Sequence, residues 1–381
     1  MDHTEAAGTT AEPQGEAPRD EAGVVSGVCY AMFAYDVGLS VQLDEAERRI
    51  TDATSRTLLR RRRRSPRYFD MQPAPLRVTH LAPPIALGGF STSDAVESVI
   101  FDFGAVSVTY AIHFRCTLRE LLTLSETLYD NDTLHEEARS RVETLAAAIR
   151  PAVAKPRFSS LVEDYVLYDV RSSETDTGVD AMLDQHRAML ARVLRSEPGE
   201  LSRDEISDAL SCRISYSPDD AALIDWNAAI AFGPEDDDLR SVLEYVNVEL
   251  LEMRYLDDQL DEALDRAMQT MSRQQWWRHF LPGAASTDLR HMAELQMDSA
   301  LLFEGVNNAL KLIGDQHLAR VYRLASQRMH LPQWDASIIR KLDTADSIYQ
   351  KLTDQQATVR LEVLEWIIIV LIAISIVLML V

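Results

Sequence analysis

The chain has 381 residues, with 60 Asp and Glu against 38 Lys and Arg, a formal charge of −22 and 46% hydrophobic residues. That length allows two or three domains around a sizeable core, while the acidic balance argues against a general nucleic-acid binder, because neutralising phosphate needs clustered cations, and no specific DNA binding is expected. Three isolated cysteines, Cys29, Cys116 and Cys212, supply neither a disulfide framework nor a CxxC metal pair.

In chain order, residues 1–23 are acidic and rich in Ala, Gly, Thr and Pro, the composition of a disordered tail. They carry no basic-then-apolar secretory pattern and no Arg-rich transit pattern. Residues 24–35 are apolar enough for a strand, and 39–59 read as a helix with a charged face. Arg60, Arg61, Arg62, Arg63 and Arg64, joined by Arg67, form the dense basic patch, a candidate contact for ribosomal RNA, an acidic partner or lipid headgroups. The alternative is a solvated loop.

Alternation of β-branched and aromatic residues predicts paired strands over 99–103 and 105–114, with Gly104 as the bend between them. Helices are expected over 118–128, 133–149 and 179–195, a strand over 160–171, and a short helix opened by Ser202 and Glu205 as a capping box. Residues 222–232 read as one buried strand. The fold class expected is therefore α+β: a mixed α/β domain over 24–235, followed by long helices over 236–332.

In the first of these helices Asp257, Asp258 and Asp261 make a DDxxD, whose spacing puts carboxylates on one face where they could hold Mg²⁺ and a diphosphate. This pattern resembles the aspartate-rich motif of isoprenoid synthases, which makes a Mg-dependent prenyl-diphosphate enzyme the alternative function. A solvated face opposite Leu256, Leu260 and Leu264 is the plainer explanation. No nucleotide-binding, nucleophile-elbow or zinc motif is present, so no catalytic residue and no cofactor are expected.

A heptad runs through 333–365, with Ile338, Ala345, Leu352, Val359 and Trp366 at one core position and Leu342, Tyr349, Gln356 and Val363 at the other. Ile338, Leu342, Tyr349, Leu352 and Val359 are thus candidates for a coiled coil between copies, or for a helical hairpin within one chain. Residues 366–381 contain no charged side chain. They are expected to be a single transmembrane tail anchor, with Trp366 at the lipid interface and most of the chain cytoplasmic.

Tyr110 and its strand pair, the strand around Asp225, Trp226 and Asn227, the leucine-rich helix after it and, above all, residues 343–381 with the junction Leu364-Glu365-Trp366 resemble the "required for meiotic nuclear division" family. That family's anchor commonly carries an acid, where this chain has only Ser375. The resemblance implies a membrane-attached, self-associating scaffold or tether without assigned catalysis. Its mitochondrial relatives support translation from a membrane-bound assembly. Without a transit peptide, this chain resembles a bacterial member at the inner membrane, with lipid, copies of itself and a ribosome or other assembly as partners.

Overall fold

The computed structural model describes residues 23–54, 73–173, 178–234, 237–272, 297 and 316–380. The expected α+β class is what they form: a large, mostly antiparallel sheet between two layers of helices. At its centre is β1 (Val24–Asp36), paired antiparallel with β6 (Ala105–Thr117) on one side and β8 (Val162–Ser173) on the other. Outside β6 lie β5 (Phe90–Ile100) and β3 (Leu76–Leu81), with the short β4 (Ala86–Leu87) paired to β5. Outside β8 lie β11 (Ala228–Phe232), β10 (Ala221–Ile224) and β9 (Arg213–Ile214). The β8–β11 pairing is parallel. A separate pair joins β2 (Ser40–Val41) to β7 (Val153–Ala154).

Side chains of β1 alternate between two cores. Val25, Cys29, Ala31, Phe33 and Tyr35 enter one, and Val28, Tyr30, Met32 and Ala34 enter the other. With both faces covered, β1 and β6 read as nearly continuous apolar runs. The first core is closed by α1 (Leu43–Thr54), α2 (Leu118–Leu128), α3 (Asp132–Ile149), α4 (Val179–Gln185) and α5 (Arg187–Arg195). The second is closed by α7 (Asp237–Ser272), α8 (Gln316–Arg328) and the first turns of α9 (Leu331–Leu380). It joins residues on both sides of position 235, where the sequence suggested a boundary.

Local chemistry sets several element ends. Thr117 and Glu120 form a reciprocal capping box at α2, each side chain satisfying a backbone N–H of the other. At α6 (Arg203–Ala209) the Ser202 hydroxyl accepts from Glu205 N. The bend at Gly104 is present: φ is +102°, and a Cβ there would lie 1.9 Å from the Gly38 carbonyl oxygen. Phe101 and Phe103, expected in the first strand of the pair, instead fill the turn and stack at 5.3 Å in the second core.

Three expectations change. Residues 222–232 are a hairpin rather than one strand, because Asp225 turns the chain: its amide donates to Ala228 O and its Oδ1 accepts from the Trp226 amide. The helix over 179–195 breaks at the buried His186. The helix that carries the heptad begins at Leu331, two residues before the expected 333. Residues 273–315 apart from 297, within the helical stretch expected over 236–332, and residues 1–22 of the acidic tail lie outside the described residues. Among the described residues no helix is long and apolar enough to cross a membrane, so the fold lends the expected transmembrane helix no support.

Candidate functional site

At one end of the sheet the two helical layers part around a cleft of about 940 Å³. It is lined by the start of β8, the β10–β11 turn, the start of α3, the end of α8, and Arg254 and Trp334 of α7 and α9. The turn that buries Asp225 pushes Trp226 outward, leaving its indole 49% exposed in the mouth.

Asp225, fully buried, organises this end. Arg195 Nε lies 2.6 Å from Asp225 Oδ2, and Arg328 Nη2 lies 2.7 Å from Oδ1. Tyr165 donates its hydroxyl to the Asp225 carbonyl at 3.0 Å. The same two guanidiniums also grip Asp208, at 2.6 Å from Arg195 and 2.7 Å from Arg328. Hydrogen bonding from Arg328, then from Arg195, holds the Asp208 carboxyl down at about 2.

On the other wall Glu163 is bonded by Arg254, and its carbonyl accepts from Asn247 Nδ2 at 3.1 Å. Burial outweighs the Arg254 charge and pushes the Glu163 carboxyl up to about 7. Burial also raises Asp164, opposed by His135. Arg195, Arg254 and Arg328 are therefore each bonded to a carboxylate. The cleft offers two indoles, Trp226 and Trp334, and a carboxyl poised near neutrality, rather than an open clamp for anions.

A line of buried acids on α7 was not legible as a site. Glu244 meets Arg77 at 3.3 Å and accepts from Thr109. Glu97 on β5 bonds both Arg77 and Arg240, and the Arg240 guanidinium stands 4.7 Å over the Tyr30 ring. Glu249 accepts from the Tyr322 hydroxyl at 2.6 Å, and burial pushes it up to about 8. Glu252 is pushed well above the ordinary range by burial, then by the charge of Asp36, with Arg157 opposing. Arg157 in turn bonds Asp36 at 2.6 Å and covers the Tyr255 ring. The available signal was a helix with apolar residues on two faces: Val242, Leu243, Val246, Val248 and Leu251 leave acids between them no route to water.

Lys341 of α9 lies between two members of the DDxxD, its Nζ 2.7 Å from Asp257 and 2.6 Å from Asp261, so an ammonium stands where a cation would bind. Asp258 is exposed on the same helix. Among the described residues no group of three or more His, Cys, Asp or Glu could hold a metal. Ile338 is fully buried and Leu342 half-buried, both in the core shared with α7. The start of the heptad therefore packs within the chain. The side chains of Tyr349, Leu352 and Val359, and the whole of Arg60, Arg61, Arg62, Arg63, Arg64 and Arg67, lie outside the described residues. Trp366 is exposed.

The family described as "Uncharacterized protein MJ0711, N-terminal domain" matches residues 26–238, which is more than half of the chain. The match runs from β1 to the first residues of α7 and so takes in the whole sheet. A relative of the same description, uncharacterized protein MJ0711 of Methanocaldococcus jannaschii, is 26% identical over 245 residues, covering 63% of this chain and 67% of that protein. No solved structure matches.

Proposed function

The chain belongs to the MJ0711 N-terminal-domain family, and we propose that it is a scaffold or tether whose α+β body is held at a membrane by the apolar end of α9. One observation carries this reading. Trp366, Ile367, Ile368, Ile369, Val370, Leu371 and Ile372 follow one another on α9, and all are 49–67% exposed. Seven consecutive residues are about two helical turns, so this stretch is apolar all round. Each Å² of it left in water is unfavourable by roughly 25 cal/mol. A helix of that kind needs a cover, and lipid with an indole at the boundary is one that suits it.

The finer parts of the reading are a single span with the body on the cytoplasmic side of a bacterial inner membrane, and association of copies through α9 beyond Ala345. So is contact of Arg60, Arg61, Arg62, Arg63, Arg64 and Arg67 with a ribosome, RNA or an acidic partner. Support for translation follows from the likeness to the "required for meiotic nuclear division" family alone.

The test is an environment-sensitive fluorophore at position 369. Cys29 and Cys116 are buried and Cys212 is half-buried, so Ile369→Cys in a Cys212→Ser background gives one reactive thiol. Added vesicles should shift its emission to the blue. Emission unchanged at saturating lipid would rule the tether out. The basic patch is tested by replacing Arg60, Arg61, Arg62, Arg63 and Arg64 with Ser, which should abolish salt-sensitive co-sedimentation with ribosomes.

A further inference from the structure

Three helices meet around one carboxyl group. From α7 comes Glu249, 1% exposed. From α8 comes Tyr322, which donates to Glu249 Oε2 at 2.6 Å. From α9 comes Asp335, a second carboxyl whose charge bears on Glu249 and whose Oδ1 is buried with no hydrogen-bond partner among the described residues. Tyr245, one turn earlier on α7, feels the Glu249 charge and that of Asp102 at the β5–β6 turn. Arg320 and Arg323 of α8 are exposed. Among the described residues no cation pairs with Glu249. Its neighbours on α7 differ in this respect, because Glu244 has Arg77 and Glu252 has the charge of Arg157.

Protonated, Glu249 is a neutral group in an apolar joint. Ionised, it is a buried charge beside a second acid, with one phenol to donate to it. The ionised form is better accommodated in any arrangement that lets water reach the joint. We propose that Glu249 is a proton-operated latch, whose protonated form holds α8 and the start of α9 against α7 and whose ionised form loosens them.

The sign follows from linkage. The carboxyl titrates near 4.5 when water reaches it and at about 8 in the closed joint. Docking is therefore tightest below the first value and is progressively lost as pH rises to the second. The helix released is the one that carries the exposed apolar run. The latch would place that run close to the body or away from it, whether or not the run meets lipid.

Amide hydrogen exchange on the full chain between pH 5 and 8.5, corrected for intrinsic rates, tests the latch. Opening of Gln316–Arg328 and residues 331–345 should rise by up to about tenfold per pH unit, the limit set by one proton, while α2 and α3 rise less. Glu249→Gln should flatten the rise and Glu252→Gln should leave it. An unmutated chain whose α8 protection does not change with pH overturns the proposal, even if Glu249→Gln fails to fold. So does a rise that survives in Glu249→Gln or vanishes in Glu252→Gln.

Discussion

Asp225 and Asp208 bond the same two arginines, but their weights differ with burial. Asp225 is wholly buried, and Arg195 and Arg328 have side chains only 19% and 15% exposed. Asp225→Ala would leave two largely buried guanidiniums with only exposed carboxylates such as Asp208 to answer them, a loss approaching the roughly 3–5 kcal/mol of a broken buried pair. The Asp208 side chain is 55% exposed, and after solvent screening such pairs contribute about 0–1 kcal/mol. Urea unfolding of Asp225→Ala and Asp208→Ala should show that order, and equal losses would contradict it. Gly104 supports a second prediction at this scale. Its positive φ and the 1.9 Å approach of a Cβ to Gly38 O mean Gly104→Ala should lower stability by more than about 1 kcal/mol. An unchanged melting temperature would show that the turn relaxes. Gly104 was legible because a glycine between two alternating strands has few other uses. Asp225 was not, since an acid inside an apolar run gives no sign of which distant arginines will reach it.

Among the elements α7 carries two of the raised carboxyls and faces a third. Glu249 at about 8 and Glu252, also raised, sit on it, and Glu163 at about 7 faces it from β8. Each is held above its ordinary value, so the folded chain keeps protons that the unfolded chain releases. Their stabilising contribution is complete below about 4.5 and is lost as pH climbs through the raised values. The urea midpoint should be lower at pH 8.5 than at pH 5.5, and the double substitution Glu249→Gln, Glu252→Gln should shrink that difference. A difference of undiminished size would assign the pH dependence to other groups. The sequence pattern located the start of α7 within a residue, because a long amphipathic helix has a strong period. The 222–232 hairpin was missed because its apolar residues flank a turn made by an acid and a tryptophan, without glycine or proline. The edge strand Leu76–Leu81 was hidden for the opposite reason, because prolines flank it on both sides.

For the molecule as a whole, the class was readable and the topology was not. Strand existence is local, but the placement of β1 between β6 and β8 depends on pairings between residues up to about 150 positions apart, which period and composition do not encode. The heptad of α9 was visible, but its partner was not: the same spacing serves a second copy or the neighbouring α7, and Ile338 packs on α7. The charge of −22 works against attachment to anionic lipid. If the proposed anchor is right, binding comes from apolar burial at the end of α9 and should survive high salt. Flotation with vesicles in high salt, comparing the full chain with one truncated after Arg360, tests this most directly. The account predicts that the full chain rises with the lipid and the truncated chain stays at the bottom. Both chains rising, or both staying down, would contradict it.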